Sequence, residues 1–208
     1  MKISVRALLV VTFAVVLTGC GISLIDTQPA PQIYDLGAPQ INSNGAPVSW
    51  QLIVEEPSTI RAFGTNRIAL KRGDNSIQYY KGARWSDRGP SLFQARLIEA
   101  LEDTGRIMSV GAETSGINAN YRLKSNLRNF HADLGDGKSV TAMISISVKL
   151  LDARTREVIA TTLLVKQVKS RSGKIGDVVK AFDEAVQDVT REATEWILQT
   201  GEAQQGGV

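Results

Sequence analysis

The chain holds a single cysteine, Cys20, and a single histidine, His131, and their surroundings point to very different chemistry. Cys20 closes the tetrapeptide Leu17-Thr18-Gly19-Cys20. Ahead of it stand Lys2 and Arg6, then an apolar run from Ala7 to Leu17 broken only by Thr12. A basic start, an apolar stretch of about a dozen residues and small residues at the exit make a secretory signal peptide. The run is short of the roughly 20 apolar residues that span a bilayer, so a permanent transmembrane helix is the weaker reading. The order Leu-Thr-Gly-Cys matches the bacterial lipobox. That motif predicts a diacylglycerol on the Cys20 sulfur, cleavage between Gly19 and Cys20, and acylation (palmitate or similar) of the new amine. Residues 1–19 are then removed. Three acyl chains exceed the single chain that holds a protein only marginally, so the mature protein stays on its membrane. Gly21 follows the cysteine instead of the aspartate that signals inner-membrane retention, which favours the periplasmic face of the outer membrane.

His131 offers much less. It follows Phe130 near the end of a strand-like run, with no nucleophile-elbow pattern anywhere in the chain. An exposed strand-end residue is the expected reading. Metal centres need clusters of Cys, His and carboxylates, and no such spacing occurs. Gly111 to Gly116 lacks the spacing and the lysine of a phosphate loop. The chain reads as a non-enzyme without a cofactor, apart from the covalent lipid on Cys20.

Composition and charge bound the rest of the reading. The whole chain carries 24 Lys and Arg against 21 Asp and Glu. Cleavage before Cys20 takes Lys2 and Arg6 away, leaving 22 against 21, a net charge of about +1. No clustered basic face predicts nucleic-acid binding. With Cys20 taken by lipid, no disulfide forms within the chain, so stability must come from a packed core.

The elements that position these residues follow from periodicity. Residues 20–50 read as a lipidated, flexible tether holding four of the six prolines, Pro29, Pro31, Pro39 and Pro47. Within it, Ile33, Tyr34 and Leu36 give Gln32 to Leu36 the means to dock on the domain. Residues 51–200 read as one domain. Gln51 to Val54 is a strand ending before Pro57. Arg67 to Arg72 and Ser76 to Lys81 form a hairpin about Gly73-Asp74-Asn75. Arg84 to Pro90 reads as a polar loop carrying Trp85. Phe93, Leu97 and Leu101 recur every four residues, predicting a helix over Ser91 to Asp103 with Gly105 as its stop. A short strand follows at Ile107 to Val110, then a loop from Gly111 to Ala119.

Tyr121, Leu123, Ser125 and Leu127 alternate with Arg122, Lys124, Asn126 and Arg128. Val140, Ala142, Ile144, Ile146, Val148 and Leu150 form a longer apolar face, and Val158 to Val168 a third strand. Short turns join the three into an antiparallel meander. Val178, Phe182, Ala185, Val186, Val189, Ala193, Trp196 and Ile197 lie at helical steps opposite Lys180, Glu184, Asp188 and Glu192. That predicts a long helix stopped by Gly201, with 201–208 a disordered tail. The expected fold is α+β: a two-layer sandwich, mainly antiparallel, with six or seven strands and two helices on one face.

The order Ile77-Gln78-Tyr79-Tyr80, Arg84-Trp85, Pro90, a helix bearing Leu92, Gln94 and Leu97, then Tyr121-Arg122-Leu123 with Phe130, resembles the ABC-type transport auxiliary lipoprotein family. The likeness is to its PqiC-type members, which accompany MCE-domain proteins, and runs from about Tyr34 to Trp196. The loop Trp85-Ser86-Asp87-Arg88-Gly89-Pro90 is more polar than that pattern. The resemblance implies a non-catalytic part in moving phospholipid across the periplasm, with an MCE-domain protein as partner. A homo-oligomer and a directly bound phospholipid both fit it. Tyr79, Tyr80, Arg84 and Trp85 are the candidate docking residues, because aromatics dominate interface energetics; a core role for Trp85 and one tyrosine is the competing reading. Two other classes stand beside it: an outer-membrane assembly lipoprotein that docks on a β-barrel, and a small periplasmic hydrolase using His131.

Overall fold

The computed structural model describes residues 29–41, 45–135, 137 and 139–205. The stretch read as a signal peptide, the expected lipidation site Cys20, and the chain's last three residues lie outside the described residues. From Pro31 onward the chain forms one compact unit.

The long strand β7, Tyr121–Asp133, organises it. One edge of β7 pairs along its whole length with β8, Thr141–Asp152, which in turn pairs with β9, Val158–Lys169. Both pairings are antiparallel, as expected of consecutive strands joined by short turns. The other edge of β7 is shared by three short parallel strands laid end to end. Residues 52–54 of β2 (Val48–Val54) meet residues 121–123, β3 (Ser58–Thr59) meets 126–127, and residues 70–71 of β4 (Arg67–Lys71) meet 132–133. β4 then forms the expected antiparallel hairpin with β5, Ile77–Trp85. β1, Gln32–Tyr34, lies parallel to the end of β5, and β6, Ile107–Ala112, lies parallel to β2. The fold is α+β, but among the described residues the sheet is mixed and has nine strands, where six or seven in a mainly antiparallel array were expected.

Helix α1 spans Gly89–Asp103, with Pro90 in its first turn, where a missing N–H costs nothing. It packs against β6 and against helix α2, Ile175–Gln205, which lies over β8 and β9. The reason is visible along β8. Ala142, Ile144, Ile146, Val148 and Leu150 are all fully buried and face α2 residues Val178, Phe182, Ala185, Val189 and Ala193, which are also fully buried. Lys166 on β9 reaches Glu192 on α2 at 2.9 Å, and Arg106 pairs with Glu202 near the helix's end.

A bulge at Arg128 reconciles β7 with this core. Leu123 and Leu127 pair with Leu150 and Ile146, but beyond the bulge Phe130 and Ala132 pair with Ile144 and Ala142. One extra residue thus switches the inward positions from odd to even numbers.

The structure corrects three further expectations. Strand β5 runs through Arg84 and Trp85, so the polar loop shrinks to the three residues before Gly89. Ordered strand reaches back into the stretch read as tether, at β1 and at Val48. Helix α2 does not stop at Gly201. A side chain at 201 would place its Cβ 2.6 Å from the Trp50 ring, so glycine is needed there for close approach, and the helix continues to Gln205.

Candidate functional site

The four docking candidates lie on β5, beside a wide bulge. Arg67 pairs with Arg84 and Ala69 with Tyr79, so Ile68 alone faces the residues between them. Gly82, at φ +66°, takes the left-handed turn this bulge requires. The bend separates the four candidates.

Trp85 turns inward. It is 1% exposed and packs edge-on against Phe182 (ring centroids 5.2 Å apart) and tilted against Phe130 (5.7 Å). Phe130 and Phe182 also meet, at 5.4 Å. This three-ring cluster ties β5, β7 and α2 together, so Trp85 is a core residue and leaves the docking surface. Its side chain followed the need to fill the core, and alternation across β5 then places Arg84 on the outside.

Tyr79 is half-buried. Its hydroxyl donates to the Ala62 carbonyl at 3.3 Å, and the Arg67 guanidinium lies 3.7 Å over its ring centre. That stacking fixes one ring face and leaves an arginine-aromatic pair at the surface. Tyr80 is also half-buried and leans on the core; burial raises its hydroxyl pKa above the ordinary 10.0. Arg84 is exposed, and across the β1–β5 ladder its neighbour is Ile33, which is 69% exposed. Ile33, Arg84, Arg67 and Tyr79 therefore form one mixed apolar and cationic patch at a sheet edge. Sequence reasoning missed Ile33 and Arg67 because β1 reaches β5 across some 50 residues without a turn signal.

The strand carrying Ile33 is firmly held. Ser86 N–H donates to the Tyr34 carbonyl (2.7 Å), the Ser86 hydroxyl donates to Asp35 (2.9 Å), and Gly37 N–H donates to Asp183 on α2 (2.6 Å). Leu36 is 2% exposed. The docking expected of Gln32 to Leu36 is therefore realised through the backbone, Tyr34 and Leu36, while Ile33 faces outward.

His131 is buried, not exposed, at 3%. It lies on the sheet face away from Phe130, where Phe63 from the β3–β4 connection stacks over its ring at 5.4 Å and 12° between planes. Its Nδ1 has no hydrogen-bond partner among the described residues. Burial lowers its pKa below the ordinary 6.5; Asp133 opposes this and Lys71 adds to it. Among the described residues no serine hydroxyl donates to it, and a stacked, desolvated imidazole of this kind fills space. Among the described residues no three His, Cys, Asp or Glu side chains come together as metal ligands, and no helix is long and apolar enough to cross a membrane.

The chain belongs to the family of ABC-type transport auxiliary lipoprotein components, whose model matches residues 34–193. It is 30% identical over 174 residues to an uncharacterised protein of Bradyrhizobium diazoefficiens, covering 82% of this chain and 46% of that one, so the chain spans about half the length of this curated relative. The crystal structure of protein XCC0632 from Xanthomonas campestris, assigned to DUF330, superposes with a TM-score of 0.80 at 29% identity, covering 84% of this chain and 99% of the other. A second crystal structure, of an uncharacterised protein, shares the fold at a TM-score of 0.65 and 13% identity, covering 81% and 99%. The family's description is of a lipoprotein that is an auxiliary component of ABC-type transport.

Proposed function

We propose that this protein is a membrane-anchored periplasmic lipoprotein serving an MCE/ABC-type transport system that moves phospholipid between the inner and outer membranes. Cys20 carries the diacylglycerol and N-acyl chains and holds the protein on the periplasmic face of the outer membrane. The observation that carries this reading is the family match over 34–193, nearly the whole folded unit. The MCE-domain partner docks on Tyr79, Arg84, Ile33 and Arg67, with Tyr80 supporting from beneath. This patch supports docking because arginine and tyrosine are enriched where interface energy concentrates, and because Ile33 leaves a large apolar side chain in water. Self-association into a ring would place several copies of the patch around one transport tube.

The test is affinity capture of the full-length, membrane-extracted protein through a C-terminal tag, read by mass spectrometry. Recovery of an MCE-domain protein is expected. Ile33→Asp combined with Arg84→Glu should abolish that recovery while leaving the thermal midpoint unchanged. Capture of an outer-membrane β-barrel without any MCE-domain protein overturns the reading in favour of an assembly lipoprotein.

A further inference from the structure

On the sheet face away from α2, the ladder register sets Lys124 of β7 directly opposite Lys149 of β8. Side chains so placed have Cβ atoms about 4.5–5.5 Å apart, and like charges there repel. Both lysines are exposed, and Lys149 makes no ion pair among the described residues. Lys124 is flanked along β7 by Arg122, and a cleft of about 460 Å³ runs from Lys124 past Arg122 to Arg156 in the β8–β9 turn. A second, smaller hollow shares Lys124 and continues to Lys149, Ser147, Asn126 and Ser58.

Two acids face these four cations, and both are partly committed. Glu55 pairs with Arg122 at 2.8 Å and stands 3.8 Å from Lys124. Asp152 accepts the backbone N–H groups of Arg154 (2.8 Å) and Thr155 (2.7 Å), which lowers its pKa below the ordinary 3.8. Four cations against two carboxylates leave two positive charges in excess, in a chain whose formal net charge is only +3. An excess of that size, on rigid paired strands, matches an oxyanion that can bridge two ammonium groups.

We propose that this joined cleft, centred on Lys124 and Lys149, binds a phosphate group. The ammonium pair holds two phosphate oxygens, Arg122 and Arg156 close one end, and the Ser147 hydroxyl lies at the other. A phospholipid headgroup and free phosphate present the same oxyanion. The site lies apart from the Tyr79 and Arg84 patch, and it rests on the transport reading only for the choice of a lipid as one source.

The test uses the full-length protein in a phosphate-free maltoside detergent, titrated calorimetrically with inorganic phosphate, with dihexanoyl phosphatidylglycerol and with phosphate-free dihexanoyl glycerol. Binding of the phosphatidylglycerol probe is expected, with none of the glycerol probe. Lys124→Ala combined with Lys149→Ala should weaken binding at least tenfold. Glu55→Gln should tighten it several-fold, an effect in the opposite direction that a damaged fold would not produce. Inorganic phosphate binding as tightly as the lipid probe supports the site with a free anion as its ligand; phosphate at least tenfold weaker supports the headgroup. No binding of either phosphate-bearing probe, or a change under twofold in the double lysine variant, overturns the proposal. Because the docking partner is read by capture and this site by titration, each can fail while the other stands.

Discussion

Strand β8 carries two faces of opposite character. Toward α2 it presents Ala142, Ile144, Ile146, Val148 and Leu150, none of which touches solvent. Toward the other side it presents Met143, Ser145, Ser147 and Lys149, and its neighbour β9 adds Leu163 and Val165 at 50% and 46% exposure. The first face obeys one demand, the filling of space beneath a 31-residue helix. The second has no covering helix, so its residues are free to carry charge and hydroxyl groups. Stability belongs to the first face, and the proposed phosphate site to the second. The two lie one residue apart in the chain.

The largest break in that comparison comes at β5, where Trp85 and Arg84 are neighbours on opposite sides. Trp85→Ala removes a ring packed against Phe130 and Phe182 and should cost about 3–5 kcal/mol. Arg84→Ala should stay within about 0.5 kcal/mol, as surface changes usually do. Urea denaturation of the two variants checks both. Similar losses for both would mean that Arg84 is part of the core after all.

Gly201 gives a smaller effect, with a sign that helix propensity alone gets wrong. Alanine in a helix interior is normally more stabilising than glycine by about 0.5–1 kcal/mol. Here the added methyl group would meet the Trp50 ring, and overpacking of this kind costs about 1–3 kcal/mol. Gly201→Ala should therefore lower the thermal midpoint. A rise would show that Trp50 can swing aside.

Much of the helix-covered side was legible in the sequence. The four-residue steps in α2 and the period-two runs in β7 and β8 record burial directly, because one continuous element buries one stripe or one face. Strands β2 and β4 were legible as strands, but β3 and the parallel pairing of all three with β7 were not, since parallel pairing joins segments far apart and leaves no turn chemistry between them. The hidden state of His131 escaped for the same reason. Phe63, which covers it, comes from a connection 68 residues earlier. Arg122, Lys124 and Lys149 could be read as a wet face, but their meeting depends on register, and register depends on turn length and on the bulge at Arg128. Trp85 was ambiguous because an aromatic beside an arginine at a strand end suits a core and an interface equally well.

His131 tests a place where the outer face is covered, by Phe63. With its folded pKa below 6.5 through burial, the unfolded chain binds more protons than the folded one as pH drops below that value. Stability is therefore complete above about pH 6.5 and falls on acidification toward the folded pKa, by at most about 1.4 kcal/mol per pH unit for one proton. Asp74 and Asp152, whose pKa values are lowered below 3.8, stabilise above that value and lose their effect only as pH falls through their folded pKa values. Urea midpoints between pH 7.5 and 5 thus isolate the histidine. His131→Gln should flatten the slope across that window; an unchanged slope would assign it elsewhere.

The smallest effect is expected at the uncovered end of the same face. Leu163 and Val165 alternate on the outer side of edge strand β9, whose far edge has no partner among the described residues. If water covers them, Leu163→Ser and Val165→Thr should each change stability by less than about 0.5 kcal/mol. A second copy seated on β9 gives a different result, because burying a leucine is worth about 1.5–3 kcal/mol. The double variant would then lose well over 1 kcal/mol, and the loss would grow with protein concentration, since association stabilises by mass action. Measuring the unfolding midpoint of wild type and double variant over a hundredfold range of concentration separates the two cases. A midpoint that is independent of concentration in both proteins assigns the β9 face to solvent and removes it as the contact on which a ring would be built.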